Sequence, residues 1–401
     1  MQPAPQNKVW ITTMDKKYEI IRTYTSELIK ACFEKRAPYP IPEGITAAEL
    51  LDISISGQMQ YPIASSLLKL EIPEADAEKA RGLLKASTFK TFTQMITADQ
   101  ITKVFEEKGI RHQVLKGAVT KKLYPAPEMR EMSDIDLVVY DESLDRAAEV
   151  MEAMGYKNHG LIKHHMIFTS PSNVHVEVHW CLFDENADRK QYVYFKDNFK
   201  ARLKEGCKYT YEFGVEDFYV YMISHMSKHF FETGCGIRNL LDIYVYRNKL
   251  GDKMDKEYLS GELANLGIKD FEEHMHELAY IWMDNKQCPE FFESLFAYMV
   301  DSGIYGKNEN GVWSQLAKET VDGGHNVKLR YYFPSLKFMQ EKYPYLKKMP
   351  FLLPFAWIVR GVNAACSKES RKHRKEVEGA DRQEVERMLD MYHRLNLNFR
   401  K

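Results

Sequence analysis

Asp134 and Asp136 bracket Ile135 in the stretch Ser133-Asp134-Ile135-Asp136-Leu137-Val138-Val139. Alternation of this kind predicts a strand that presents two carboxylates on one face while Ile135 and the valines feed a core. Paired carboxylates at the head of a strand are costly to bury unless something positive lies between them. The usual resident is a divalent cation, and Mg²⁺ takes one or two carboxylates together with substrate phosphates. A bare Asp-X-Asp is also met as an ordinary strand entry with two solvated acids, so the neighbouring residues decide.

Glu177 lies in Val174-His175-Val176-Glu177-Val178-His179-Trp180. Strand alternation puts His175, Glu177 and His179 on one face and the three valines on the other. If this strand neighbours the acidic one, Glu177 becomes a third carboxylate beside Asp134 and Asp136, a set able to hold two metal ions about 3.5–4 Å apart. Leu115-Lys116-Gly117 reads as a strand end followed by a turn into a helix, where glycine lets backbone N–H groups approach a phosphate. Lys116, Lys121, Lys122 and Arg130 flank the same face, and any of them has the charge to neutralise a triphosphate.

The elements that must position these residues follow from a change of period. Residues 15 to about 100 read as helical, with Tyr18, Ile21, Tyr24, Leu28 and Cys32 at helical spacing. A break at Ala98-Asp99 precedes a helix from Gln100 to Glu107 that Lys108-Gly109 stops. Next come a strand over His112–Leu115, the acidic strand, an amphipathic helix from Glu142 to Met154, and a hairpin of His164–Thr169 with Val174–Trp180. A strand over Tyr209–Phe213 and a helix from Phe218 to Phe231 follow, and helices continue to the end. The reading is α+β: a helical region 1–100, a small mixed-sheet α/β core 101–206, a helical domain 207–330 and a C-terminal helical extension 331–401.

The chain has 401 residues, 44% of them hydrophobic and 28% charged, the balance of an ordinary folded protein. A formal net charge of -1 gives no overall footprint for nucleic acid. Six scattered cysteines with no C-x-x-C pair suit a reducing cytosol. The N-terminus lacks the pattern of a signal peptide and no apolar run reaches membrane-spanning length, so the expectation is a cytoplasmic chain. The stretch Pro350 to Cys366 is expected as a buried helix, and the mixed charge run Lys368 to Arg382 as a solvated helix face. Without an H-E-x-x-H or a cysteine at ligand spacing, His164, His165, His175, His179, His225 and His229 read as cleft or packing histidines before a zinc site. His229 and Arg238 are candidates for an acceptor or nucleotide pocket.

Leu-Lys-Gly, a helix closing in Leu-Tyr-Pro, an Arg and then Ser-Asp-Ile-Asp-Leu-Val-Val resemble the bacterial uncharacterised nucleotidyltransferase family of the polymerase-β-like superfamily. Glu177-Val178-His179-Trp180 is similar to that family's third-carboxylate strand. Glu216-Asp217 before His225-Met226-Ser227-Lys228-His229, the Arg238-to-Asp242 stretch, Phe333-Pro334-Ser335 and Tyr343-Pro344 extend the likeness over most of the chain. The resemblance implies a palm-like core and transfer of an NMP, with AMP the leading expectation, from an NTP to a hydroxyl acceptor, releasing pyrophosphate with Mg²⁺ or Mn²⁺. It makes Asp134, Asp136 and Glu177 the catalytic and metal-binding acids and Gly117 the phosphate-binding turn; by their charge and place, Lys116 and Arg130 are the nucleotide-binding candidates beside it. The acceptor is either a small molecule or a protein or peptide side chain, the latter an AMPylating reaction. Two departures stand out. The wider superfamily usually shows Gly-Ser or Gly-Gly where this chain has Gly117-Ala118, and its third acid is usually Asp. They keep open a degenerate module that binds a nucleotide or a partner without catalysis.

Overall fold

The computed structural model describes residues 7–140, 143–162, 164–185, 189–306, 343–366 and 382–397, together with residues 333, 336, 339 and 340. Pro334, Ser335 and nearly all of the Lys368-to-Arg382 run lie outside the described residues. The chain divides into two compact units: residues 1–226 with 236–304, and residues 227–235 with 305–401.

The first unit opens with α1 (Asn7–Phe33), α2 (Ala47–Gly57), α3 (Gln60–Leu67) and α4 (Glu74–Glu107). Thr46 and Glu49 cap α2 reciprocally: the Thr46 hydroxyl accepts the Glu49 N–H, and the Glu49 carboxylate accepts the Thr46 N–H. The 34-residue α4 runs straight through Ala98-Asp99, where the sequence pattern suggested a break. Neither residue is a helix breaker, and burial of Ala98 and Ile101 against the sheet carries the helix across the polar interruption. Its end is as expected. Gly109 takes φ +69°, and the Ile110 N–H returns to the Phe105 carbonyl at 2.9 Å.

The sheet has seven strands: β1 (His112–Val114), β2 (Ile135–Val139), β3 (Lys157–Ile162), β4 (His165–Thr169), β5 (His175–His179), β6 (Ala201–Leu203) and β7 (Thr210–Phe213). Their order is β3-β4-β5-β2-β1-β7-β6, parallel at β2/β5 and β1/β7 and antiparallel elsewhere. The α+β class and the mixed sheet are as the sequence pattern predicts. The sheet passes residue 206, where the core was expected to end, because β7 adds to β1. Two edge strands, β3 and β6, had no signal: Asn158, His159 and Gly160 break any alternation, and β3 exposes Leu161 and Ile162.

One sheet face is apolar. Ile135, Leu137, Val139, Val176, Val178 and Phe168 pack on Ala98, Ile101 and Phe105 of α4 and on Ala147 and Met151 of α6 (Leu144–Ala153). Each fully buried branched or aromatic side chain there contributes about 1.5–3 kcal/mol. That face holds β2 beside β5 and so fixes whatever the other face carries. Between these strands lie the five-residue α5 (Lys116–Thr120) and α7 (Arg189–Lys196); α8 (Val215–Glu232), α9 (Arg238–Leu250), α10 (Lys256–Leu266), α11 (Lys269–Met283) and α12 (Glu290–Ser302) follow.

In the second unit, α13 (Leu353–Cys366) and α14 (Arg382–Arg394) are the long described helices. Tyr392 of α14 meets Phe230 and Phe231 edge-on and tilted. The Pro350–Cys366 segment does form a helix, but not the buried one expected. Ala356 is buried whereas Phe351, Phe355 and Ile358 are mostly exposed.

Candidate active site

The parallel register of β2 and β5 places Asp136 directly opposite Glu177. Because side chains alternate, the same register that drives Ile135 and Val176 into the core turns these two acids to the opposite face. The Asp136 carboxylate is buried and accepts a hydrogen bond from Lys116 Nζ at 2.7 Å. His179 Nε2 lies 3.1 Å from the same Asp136 oxygen and 3.3 Å from Glu177 Oε2. His165 Nε2 stands 3.7 Å from the other Glu177 oxygen. Ligand atoms of Asp136, Glu177 and His179 fall within 4.8 Å of one another.

The electrostatics follow from burial set against these contacts. Burial alone would raise the Asp136 carboxyl, but the Lys116 ammonium and the His179 hydrogen bond outweigh it and hold Asp136 well below the usual carboxylate range. Burial also acts against Lys116 and His179 as cations, and Asp136 reverses it in both, raising them above their ordinary values. Glu177 is lowered in the same way, His179 overcoming burial. Asp134 has less help, since the Lys116 charge lowers it without overcoming the rest. Burial, then the Asp136 charge, push its carboxyl up to about 6, with Glu177 adding to the repulsion. Three acids are thus gathered against two bases, and the acid left over is strained by like charge. A divalent cation relieves such strain, and the oxygen donors of Asp136 and Glu177 fit a hard ion of the Mg²⁺ type.

The loop entering β2 is braced by polar side chains. Gln94 of α4 donates to the carbonyls of Met132 and Ser133 at 3.1 and 3.3 Å, and Ser87 donates to Glu131 at 2.5 Å. Arg238 bonds the Gln58 side-chain oxygen and, at 3.0 Å, the Glu131 carbonyl, while Gln58 Nε2 donates to Ser133 Oγ at 2.9 Å. Arg238, a pocket candidate by sequence, therefore holds the segment that delivers Asp134. His225 and His229 fall in different units.

The nucleotide-binding candidates separate. Lys116 reaches the acids, from a backbone at φ +46° where a non-glycine residue is strained. Gly117 has a packing reason for being glycine: a Cβ there would strike the Arg130 guanidinium and lie 2.9 Å from Met132 Cβ. Arg130 itself is 6% exposed and committed elsewhere. Its Nε and Nη2 donate to the two Asp242 oxygens at 3.2 and 2.9 Å, Nη1 donates to the Glu131 carbonyl at 3.0 Å, and Tyr124 donates to Asp242 at 2.8 Å. Arg130 is thus a buried tie between the loop and α9, not a guanidinium turned to a ligand. Lys121 is fully buried as well, and Lys122 is exposed. Sequence reasoning placed His179 on the acid face but did not make it the partner of Asp136; the alternation His175-x-Glu177-x-His179 was the available signal. Gln58 and Gln94 carried none.

Among the described residues no helix is long and apolar enough to cross a membrane. Comparison with known proteins adds three observations. No curated protein matches the chain. Among solved structures, an antigenic nucleotidyltransferase-like protein from Paracoccidioides brasiliensis matches at 19% identity, over 44% of this chain and 86% of that one, with a TM-score of 0.27. The signature of one protein family spans residues 43–284, more than half of the chain, and with it Lys116, Asp134, Asp136, Glu177 and His179, so the chain belongs to the family described as uncharacterised nucleotidyltransferase.

Proposed function

We propose that the protein transfers an NMP, AMP being the leading candidate, from an NTP to a hydroxyl acceptor and releases pyrophosphate. The observation that carries this reading is Asp136 facing Glu177 across parallel strands, with Asp134 two residues before Asp136. These acids would hold Mg²⁺ or Mn²⁺, which when bound neutralises the phosphates and polarises the α-phosphorus. The chain's own residues do the rest by positioning. The β2/β5 register fixes the spacing of the acids, and the Arg238–Gln58–Ser133 and Gln94 bonds keep the strand entry from moving. Lys116 neutralises Asp136 until a ligand arrives; its ammonium is then close enough to turn to a phosphate oxygen. His179 orients both Asp136 and Glu177.

A second reading has one observation in its favour. Lys116 and His179 already satisfy Asp136, and Ala118 offers no hydroxyl at the turn, an arrangement that suits a module binding nucleotide without transfer. The test is pyrophosphate release from each of four NTPs with Mg²⁺ or Mn²⁺, using a cell extract as acceptor pool, for wild type beside Asp134→Ala/Asp136→Ala. Release that disappears in the variant supports transfer, and the labelled product tells a small acceptor from a protein one. No release from wild type, with metal-dependent NTP binding intact, overturns transfer in favour of the module.

A further inference from the structure

Beside the acids the fold assembles a second group of metal-ligating side chains. On antiparallel β4 and β5, His165 stands directly opposite His179. His164 lies at the turn just ahead of β4, its carbonyl accepting the Trp180 N–H at 3.4 Å. The turn brings its ring to the same place as the other two. Ring centres are 4.9 Å apart for His165 and His179, and 5.5 Å apart for each pair that includes His164. One ring nitrogen from each of the three falls within 4.8 Å of the others. The Nδ1 of His165 is buried and makes no hydrogen bond among the described residues.

Geometry distinguishes this from three rings that merely pack. Imidazoles sharing one tetrahedral ion at about 2.1 Å place their nitrogens roughly 3.4 Å apart and their ring centres roughly 5 Å apart. The observed ring spacings already match, so closing the nitrogens onto an ion takes ring rotation and no movement of strands. The donor set also differs in kind from the acids. Three imidazole nitrogens favour Zn²⁺ and its borderline neighbours, whereas Asp136 and Glu177 offer oxygens to a hard ion. Three histidines leave the fourth position to water or to Glu177, whose Oε1 is 3.7 Å from His165 Nε2.

We propose that His164, His165 and His179 form a binding site for a borderline divalent transition ion of the Zn²⁺ class, separate in ligand chemistry from the carboxylate site and joined to it through His179. The ion sits at the wall of the candidate active site, where it fixes the His179 ring and draws on Glu177. Expected single-sequence signals for such a site were absent because its ligands come from a turn and from two strands paired across the sheet.

Co²⁺ is the probe, added to the full-length, chelator-stripped protein without nucleotide, so the result does not depend on any transfer activity. One equivalent of Co²⁺ should give the visible absorption of a four- or five-coordinate nitrogen-ligated ion, and one equivalent of Zn²⁺ should abolish it. His164→Ala and His165→Ala should each weaken binding roughly tenfold or more, with His165→Gln as the substitute if the alanine variant does not fold by circular dichroism. Asp134→Asn and His175→Ala should keep the absorption. The proposal is overturned if wild type gives no such band, if the band survives loss of His164 and of His165, or if Asp134→Asn removes it while the histidine variants retain it.

Discussion

Asp242→Ala tests whether the Arg130 guanidinium is structural. Asp242 is 3% exposed and accepts three hydrogen bonds: two from Arg130, at 2.9 and 3.2 Å, and one from the Tyr124 hydroxyl at 2.8 Å. Arg130 and Tyr124 are each 6% exposed, so water cannot replace the lost acceptor without opening the loop. Breaking a buried ion pair by removing one partner costs about 3–5 kcal/mol, most of it the uncompensated charge left behind. The stranded phenol adds about 1–3 kcal/mol, part of which overlaps with the first figure. For a unit of this size a urea slope of about 3 kcal/mol per molar is reasonable, so the midpoint should fall by roughly 1–2 M. Urea unfolding followed by circular dichroism reads it, with Asp242→Asn as an intermediate case that keeps an acceptor but loses the charge. The double variant Arg130→Met/Asp242→Leu should recover most of the loss, since replacing both members of a buried pair by apolar groups is often neutral or stabilising. A midpoint for Asp242→Ala within about 0.3 M of wild type, below roughly 1 kcal/mol at that slope, would refute the reasoning.

Gly117→Ala should destabilise by about 1–3 kcal/mol through overpacking against Arg130 and Met132, measured by the same unfolding; a gain in stability would mean the loop yields freely. Thr46→Ala removes the hydroxyl that caps α2 and should cost about 1 kcal/mol, whereas Thr46→Ser keeps the hydroxyl and should retain most of the wild-type stability. Lys121 gives a pH prediction. Its fully buried amine makes no hydrogen bond among the described residues, and burial, then the Arg130 charge, lower it to about 8 from an ordinary 10.5. For a base depressed in the folded state the penalty is complete below the folded value and is relieved as pH rises towards the unfolded one. Lys121→Met should therefore be more stable than wild type by roughly 3 kcal/mol below pH 8, with the advantage vanishing between about pH 8 and 10.5. Unfolding midpoints of the pair that run parallel across that window would contradict it.

How far the sequence reached depended on whether a residue's role was local. The strand bearing Asp136, the hairpin bearing Glu177, and the Gly109 helix stop are written in periods of two and in single punctuating residues, and each is where the pattern put it, although Asp134 falls in the bend just before β2 and not on the strand. The juxtaposition of Asp136 with Glu177 needed β2 to lie beside β5, which alternation permits but does not select. Roles that rest on long-range partners were not legible. Arg130 reads as a phosphate ligand until Asp242, 112 positions along the chain, is found on its guanidinium. That Gly117 has no room for a Cβ beside Arg130 was equally hidden, whatever its backbone does for a phosphate. Helix continuity through Ala98-Asp99 likewise came from burial on a sheet that follows it in the chain.

Those corrections alter what the candidate site asks of a ligand. Arg130 removed, the positive charge held against the acids is that of Lys116 and His179, and both sit on Asp136. The acid face is therefore folded around internal counterions, which answers the physical objection to burying Asp136 without a metal. The same arrangement makes a bound cation compete with Lys116 for one carboxylate oxygen. On the proposed function, a bound cation would free that ammonium for a phosphate, and metal and nucleotide binding would reinforce each other through Lys116. Asp134 pulls in the same direction, since its repulsion by Asp136 and Glu177 falls when a cation enters. Lys116 meanwhile holds its ammonium on Asp136 from a strained backbone at φ +46°.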